Sequence, residues 1–261
     1  MLNNRTFTRE INIANEFSPS PLALKDKTIL ITGAGDGIGK ALAISFANLG
    51  ATIILLGKTV SKLEAVYDEI IANGGQEPAI VPLDLRGASP QHYIDMGNTI
   101  VDQFGHLDGL VLNAGILGAL CPFTEISQEE YADVMQVNVH SSFSLLQGVI
   151  PALKRSPTSA SVILTTSTVG REGRKFWGTY SISKFATEGM MEVLADEYKA
   201  SDIRFNCVNP GGTRTDMRSK AFPAEDAMKL KTPAEIVATY NYLMTEESAQ
   251  ITGKIFDCQP K

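Results

Sequence analysis

Residues 28–39 read TILITGAGDGIG, from Thr28 to Gly39. The first five form an apolar, β-branched run that predicts a short buried strand. Glycines at 33, 35, 37 and 39 follow at once and permit a tight turn with close backbone approach. Helical periodicity then runs over 37–49 and stops at Gly50, a suitable helix end. A helix beginning there offers free N–H groups and a positive dipole end to a pyrophosphate. The pattern is T-G-x-x-x-G-x-G; Ile38 stands where G-x-G-x-x-G, counted from Gly33, would have its last glycine. An ordinary strand–turn–helix junction does not need four glycines in seven residues, so the stretch is read as a dinucleotide cradle.

Working outward, the same alternation repeats. Strands are predicted at 52–56, 79–83, 108–112, 161–166, 203–208 and 254–258. Helices are predicted at 60–72, roughly 90–104, 127–153, 180–200 and 233–244. Continuous apolar strands separated by helices predict a seven-stranded parallel sheet covered on both faces. The expected fold is therefore α/β: a doubly wound Rossmann sheet in a single domain over 25–261. Residues 1–24 are polar, carry Pro19 and Pro21, and read as an N-terminal extension.

Composition narrows the function. The chain has 261 residues, 44% of them hydrophobic, and a net charge of −6, which argues against non-specific nucleic-acid binding. No apolar run has the length of a membrane span, and the first residues lack the apolar core of a secretory signal. Cys121, Cys207 and Cys258 are widely spaced and read as free thiols, so a cytoplasmic location is expected. His92, His106 and His140 show no metal-site spacing, and no metal is expected.

The catalytic candidates come from local spacing. Tyr180 and Lys184 stand four residues apart in GTYSISKFATEGM, on one face of a predicted helix. An ammonium so close favours the phenolate and is expected to draw the tyrosine pKa down from about 10. Ser167 ends the fifth strand in ILTTSTVG, and ligands of such sheets bind at the carboxyl ends of the strands.

These motifs together resemble the short-chain dehydrogenase/reductase family. The matching residues are Thr32-Gly33-x-x-x-Gly37-x-Gly39, Asp84, Asn113-Ala114-Gly115, Asn138, Ser167, Tyr180-x-x-x-Lys184 and Pro210-Gly211. KFATEGMMEVLADEY and NPGGTRTDMRSKAFP also look like the bacterial YciK-type oxidoreductases within that family. The resemblance implies that Ser167 hydrogen-bonds a substrate oxygen and that Tyr180 exchanges a proton with it. It further implies that Lys184 tunes the tyrosine and holds the nicotinamide ribose, and that Asn138 orders a water leading from the lysine to solvent. Cofactor contacts are implied for Gly33, Gly35, Asp36, Gly37, Ile38 and Gly39, for Lys58, and for Asp84 with Leu85. Asn113, Ala114 and Gly115 join them, with Tyr180, Lys184, Pro210, Gly211, Thr213 and Thr215. Read without the resemblance, Asp84 is equally a turn residue and Asn113 equally a brace of the sheet. Similar proteins commonly pair through the two long helices, which implies a homodimer or homotetramer.

An NAD site usually carries an acidic residue about 20 residues past the glycines. Here that place reads Leu56-Gly57-Lys58-Thr59, and Lys58 can pair with a 2′-phosphate. NADP(H) is therefore the expected cofactor, with NAD(H) a possible second; Asp36 weighs against this preference. Three segments should rim a small-molecule pocket: 115–124, 170–178 and 216–231. Arg171, Arg174, Lys175, Arg214, Arg218 and Lys220 lie in or beside them, either to draw an anionic substrate or as solvated cations beside Glu172, Asp216 and Glu225. The expected activity is hydride transfer between NADP(H) and a carbonyl or secondary alcohol. The competing reading is a non-enzymatic dinucleotide sensor on the same fold.

Overall fold

The computed structural model describes residues 14–260. Seven strands form one parallel sheet in the order β3-β2-β1-β4-β5-β6-β7. They are β1 Thr28–Thr32, β2 Thr52–Gly57, β3 Ala79–Pro82, β4 Gly109–Leu112, β5 Ala160–Thr165, β6 Ile203–Asn209 and β7 Lys254–Asp257. The order reverses between β1 and β4, where Ile31 lies opposite Leu55 on one side and Val111 on the other. That switch point opens a crevice at the carboxyl edge of the sheet, the usual ligand place in such folds. β1, β4, β5 and β6 are buried along their whole length, as strands covered on both faces must be.

The helices are α1 Gly37–Asn48, α2 Val60–Ala72, α3 Pro90–Phe104, α4 Gln128–Met135, α5 Ser141–Leu153, α6 Gly178–Glu197, α7 Asp216–Ala221 and α8 Val237–Met244. One apolar cluster joins α1 and α8 to the sheet, with Phe46, Tyr240 and Phe256 fully buried. A second lies under α3, α5 and α6, around Tyr93, Leu146 and Phe205. Full burial of one such large side chain contributes about 2–3 kcal/mol. On the second face α3 and α5 meet through glycines: a Cβ on Gly97 would strike the Gly148 carbonyl, and one on Gly148 the Tyr93 carbonyl. Among the described residues, no helix is long and apolar enough to cross a membrane.

The segment predicted as one helix over 127–153 is continuous but contains a wide, π-type turn, Gln136–His140, between α4 and α5. The helix predicted over 233–244 starts with a 3₁₀ turn, Pro233–Ile236. Residues 1–13 of the expected N-terminal extension lie outside the described residues. Its remainder packs on the sheet domain. Ala14 and Leu24 are fully buried, Phe17 meets Tyr242 edge-on at 5.4 Å, and the Asn15 amide donates to the Asp257 carbonyl at 3.0 Å.

Candidate active site

A cavity of about 430 Å³ opens at the carboxyl edge of the sheet. Every residue singled out above for coenzyme or catalysis lines it except Gly39 and Asn138, which stand behind its wall. Gly33 and Gly37 adopt left-handed φ values of 68° and 52°, which glycine alone takes without strain. Gly39 seats α1 against β1, since a Cβ there would collide with the Gly33 carbonyl. The Thr32 hydroxyl, at the end of β1, accepts from the amides of Asn113 and Ala114, both at 3.0 Å. The Asn113 side chain returns to the Thr32 carbonyl at 3.3 Å and so braces the turn after β4.

Asp36 caps α1, accepting from the Gly37 amide at 2.7 Å, and its other oxygen meets the Lys62 ammonium. Lys62 projects from α2 into the same cavity as Lys58. Its hydrogen bond and charge hold the Asp36 carboxyl below the usual carboxylate range, although burial pulls the other way. The carboxylate that weighed against an NADP site is therefore already neutralised. Asp84 is exposed and accepts from the Arg86 amide at 3.0 Å, a turn contact made at the cavity wall.

The catalytic candidates converge. Ser167 follows β5, and its hydroxyl hydrogen-bonds the Tyr180 phenol from the first turn of α6. The Lys184 ammonium lies 5.5 Å from the centre of the Tyr180 ring and donates to the Thr165 carbonyl at 2.8 Å. Burial pushes the Tyr180 pKa up to about 12, against the Ser167 hydrogen bond, which lowers it. Desolvation thus sets the direction of the shift, opposite to the lowering expected from the ammonium. Burial likewise brings Lys184 down to about 8, opposed by Cys207 and Glu188. The Cys207 thiol is itself pushed far up by burial and stays neutral, so Glu188 is the charged neighbour.

Asn138 sits inside the wide turn and is 4% exposed. Its side-chain oxygen accepts from the Ile116 amide at 2.8 Å, and its nitrogen donates to the Ile116 carbonyl and the Ser183 hydroxyl, both at 3.0 Å. It clips the segment after β4 to the residue beside Lys184.

The six cations of the rim divide into two groups. Arg171 forks onto Asp257 at 2.5 and 3.2 Å. Arg214 donates to the carbonyls of Ala227, Met228 and Leu230. Arg218 forks onto Glu225 at 2.6 and 2.7 Å and covers the Phe222 ring. Three of the six cations thus hold the rim together, while Arg174, Lys175 and Lys220 are exposed. Thr215 caps α7, and Gln259 ties the carbonyls of Pro210 and Gly212. Trp177 bridges α6 and the rim, with its ring centre 5.9 Å from that of Tyr180 and 5.7 Å from that of Phe222. Among the described residues, no group of His, Cys, Asp and Glu could hold a metal ion. Sequence reasoning passed over Lys62, Glu188 and the bridging role of Trp177.

A glycine cradle and a hydroxyl–phenol–amine group opening into one cleft define an oxidoreductase of the dinucleotide-dependent class. The chain belongs to the short chain dehydrogenase family, whose model matches residues 27–226. It is 47% identical over 244 residues to the uncharacterized oxidoreductase YciK of Escherichia coli K12, covering 94% of this chain and 96% of that one. A short chain dehydrogenase from Shigella flexneri superposes with a TM-score of 0.92 at 46% identity, over 95% of this chain and 96% of that one. A short chain dehydrogenase from Escherichia coli CFT073, solved with NADPH, superposes with a TM-score of 0.90 at 48% identity. The match covers 93% of this chain and all of that one, 100%.

Proposed function

We propose that the protein transfers a hydride between NADP(H) and a small carbonyl compound or secondary alcohol. The observation that carries this reading is the meeting of Ser167, Tyr180 and Lys184 in the cavity that the glycine turn opens. The NADPH complex of the Escherichia coli CFT073 relative supports the choice of coenzyme.

The residues fit that coenzyme. The left-handed glycines leave room for a pyrophosphate at the start of α1, and Lys58 and Lys62 offer two cations near its adenosine end. Lys184 and the backbone of Thr213 would hold the nicotinamide half. When bound, NADPH supplies the hydride. Ser167 and Tyr180 hydrogen-bond the substrate oxygen where negative charge grows, and the Tyr180 hydroxyl delivers its proton to that oxygen. The Lys184 ammonium then stabilises the phenolate that remains. Alcohol oxidation runs through the same groups in reverse. Asn138 acts here as the clip that fixes Ser183 and the cavity wall.

Pairing of subunits belongs to the same reading. Ile182, Phe185 and Val193 form an exposed apolar stripe along α6, and Phe143 stands exposed on α5. This stripe supports a homo-oligomer built on the two long helices. A cytoplasmic site of action completes the proposal, in keeping with three free cysteines.

The test is NADPH consumption by the purified protein against a panel of ketones and aldehydes, with NADPH binding measured separately. Turnover of at least one carbonyl supports the proposal. Tight NADPH binding with no turnover across a broad panel favours a dinucleotide sensor instead.

A further inference from the structure

Three consecutive residues at the end of β5 are each held by one residue of α6. Thr165 gives its carbonyl to Lys184, Thr166 gives its hydroxyl to Glu188 at 2.7 Å, and Ser167 gives its hydroxyl to Tyr180. The α6 residues lie at four-residue intervals, so they form one stripe down a helix face. The Tyr180, Lys184 and Ser167 contacts belong to the activity already proposed. The Glu188 contact does not, and its chemistry is unusual: it is a carboxylate 7% exposed, facing the core rather than water.

A buried carboxylate is costly unless it is paired and hydrogen-bonded. Glu188 has both kinds of partner: the Thr166 hydroxyl, and Arg171, whose Nε lies 3.9 Å away. Arg171 is in turn fixed by Asp257 at the end of β7, and Asp257 takes the Asn209 amide at 2.7 Å at the end of β6. The carboxylate therefore closes a chain of contacts across β5, β6, β7 and α6, just behind the catalytic group. Gly170 makes the space, since a Cβ there would come within 3.0 Å of a Glu188 oxygen and 2.7 Å of the Thr166 hydroxyl.

We propose that Glu188 is a positioning residue of the active site: it grips Thr166 so that Ser167 is aimed at Tyr180, and it places a negative charge one helical turn behind Lys184. This rests on the hydride-transfer reading above. The charged and titratable groups that face Glu188 are Arg171 from the turn after β5, Asp257 from β7, Cys207 from β6, and Lys184 and Glu192 from α6 itself. Arg171 supports its ionised form, Glu192 and Asp257 oppose it, and burial opposes it most. The stripe thus alternates along the helix as phenol, cation and anion, with the anion holding the cation charged against desolvation.

Two variants separate the two parts. Glu188→Gln removes the charge and keeps an amide oxygen able to accept from the Thr166 hydroxyl; Thr166→Val removes the hydrogen bond and keeps the charge. The Lys184 midpoint is read by a pH titration of protein carrying ¹³C-labelled lysine, assigned with Lys184→Arg. It needs no substrate. Single-turnover NADPH oxidation is measured alongside, with the best carbonyl of the panel, and NADPH affinity is measured by fluorescence. Glu188→Gln should lower the Lys184 midpoint by about half a unit or more, whereas Thr166→Val leaves it in place. Both should slow the single turnover by about tenfold, with NADPH affinity within about twofold of the parent. Folded variants with the parent's midpoint and rate would overturn the proposal. If Glu188→Gln does not fold, Thr166→Val decides alone, and an unchanged rate there refutes the grip on Ser167. A shifted midpoint in a protein that turns over no carbonyl would leave Glu188 as proposed toward Lys184 and defeat the hydride-transfer reading instead.

Discussion

The Lys184 ammonium donates to the Thr165 carbonyl at 2.8 Å, which ties α6 to the last residue of the strand that presents Ser167. The amine is 5% exposed and titrates near 8, so it passes between charged and neutral forms within the working range of most enzymes. Below about pH 8 it is an ammonium and can stabilise a phenolate on Tyr180; above that it is a neutral amine and cannot. Carbonyl reduction followed as kcat/KM should therefore fall with rising pH, with a midpoint near 8, approaching tenfold per unit beyond it. Lys184→Met should abolish that limb. Tyr180→Phe should keep NADPH binding and lower turnover by about 10²–10⁴-fold. Turnover retained in the phenylalanine variant would remove the phenol from the chemistry.

Coenzyme choice should depend on two lysines and not on one. Lys58→Asp should raise the NADP dissociation constant far more than that of NAD. Lys62→Ala should do so too, by about fivefold to tenfold, because it removes a cation and releases the Asp36 carboxylate toward an incoming phosphate. Asp36→Asn in the Lys62→Ala background should recover part of the loss. Equal effects on the two coenzymes, measured by titration calorimetry, would refute the assignment.

Trp177 is the only tryptophan of the chain and touches both Tyr180 and Phe222. Its fluorescence should change when NADPH binds and again when a substrate fills the cavity that Trp177 lines. Trp177→Ala removes the wall shared by the tyrosine and the rim. It should improve kcat/KM for bulky ketones relative to small ones, while NADPH affinity stays within about twofold. A parallel drop for every carbonyl size would mean that the ring supports the fold and does not shape the pocket.

Asp108 offers a control at the opposite, amino edge of the sheet. It is 3% exposed and accepts from the Thr28 amide at 2.8 Å and the Ser156 hydroxyl at 2.6 Å, with Lys27 at 3.8 Å. Asp108→Ala leaves the Thr28 amide buried and unmet and takes the carboxylate from Ser156 and Lys27, which should cost about 3 kcal/mol and lower Tm by roughly 6–12 °C. Turnover at 25 °C should hold near the parent value, since no cavity residue is touched. A thermal melt beside an activity assay checks both halves.

Much of the site was legible because its signals are local. The glycines after β1 lie within seven residues, Tyr180 and Lys184 one turn apart, and Ser167 at the end of a predictable strand. What escaped depends on distance through space. The Asp36 contact with Lys62 joins a turn to a different helix, and no spacing rule connects residues 26 positions apart. Glu188 in a helix reads as a surface carboxylate until β5 and β7 are seen to enclose it. The direction of the Tyr180 shift escapes the sequence for the same reason: the lysine four residues away is visible there, and the burial that sets the direction is not. The wide turn at Gln136–His140 was missed because its flanks continue one apolar helical pattern on either side.

That turn has a consequence for the whole cavity wall. One added residue advances the phase of a helix by about 100°. The leading half can therefore aim Glu130 at the Ala119 amide, on the rim side, while the trailing half turns its glycine seam at Gly148 toward α3. A uniform ladder through the same sequence would satisfy only one of these neighbours at a time. Excising a single residue between 136 and 140 would thus let the wide turn tighten to a regular one with both halves still in step, at the expense of the inward seat from which Asn138 clips Ile116 to Ser183.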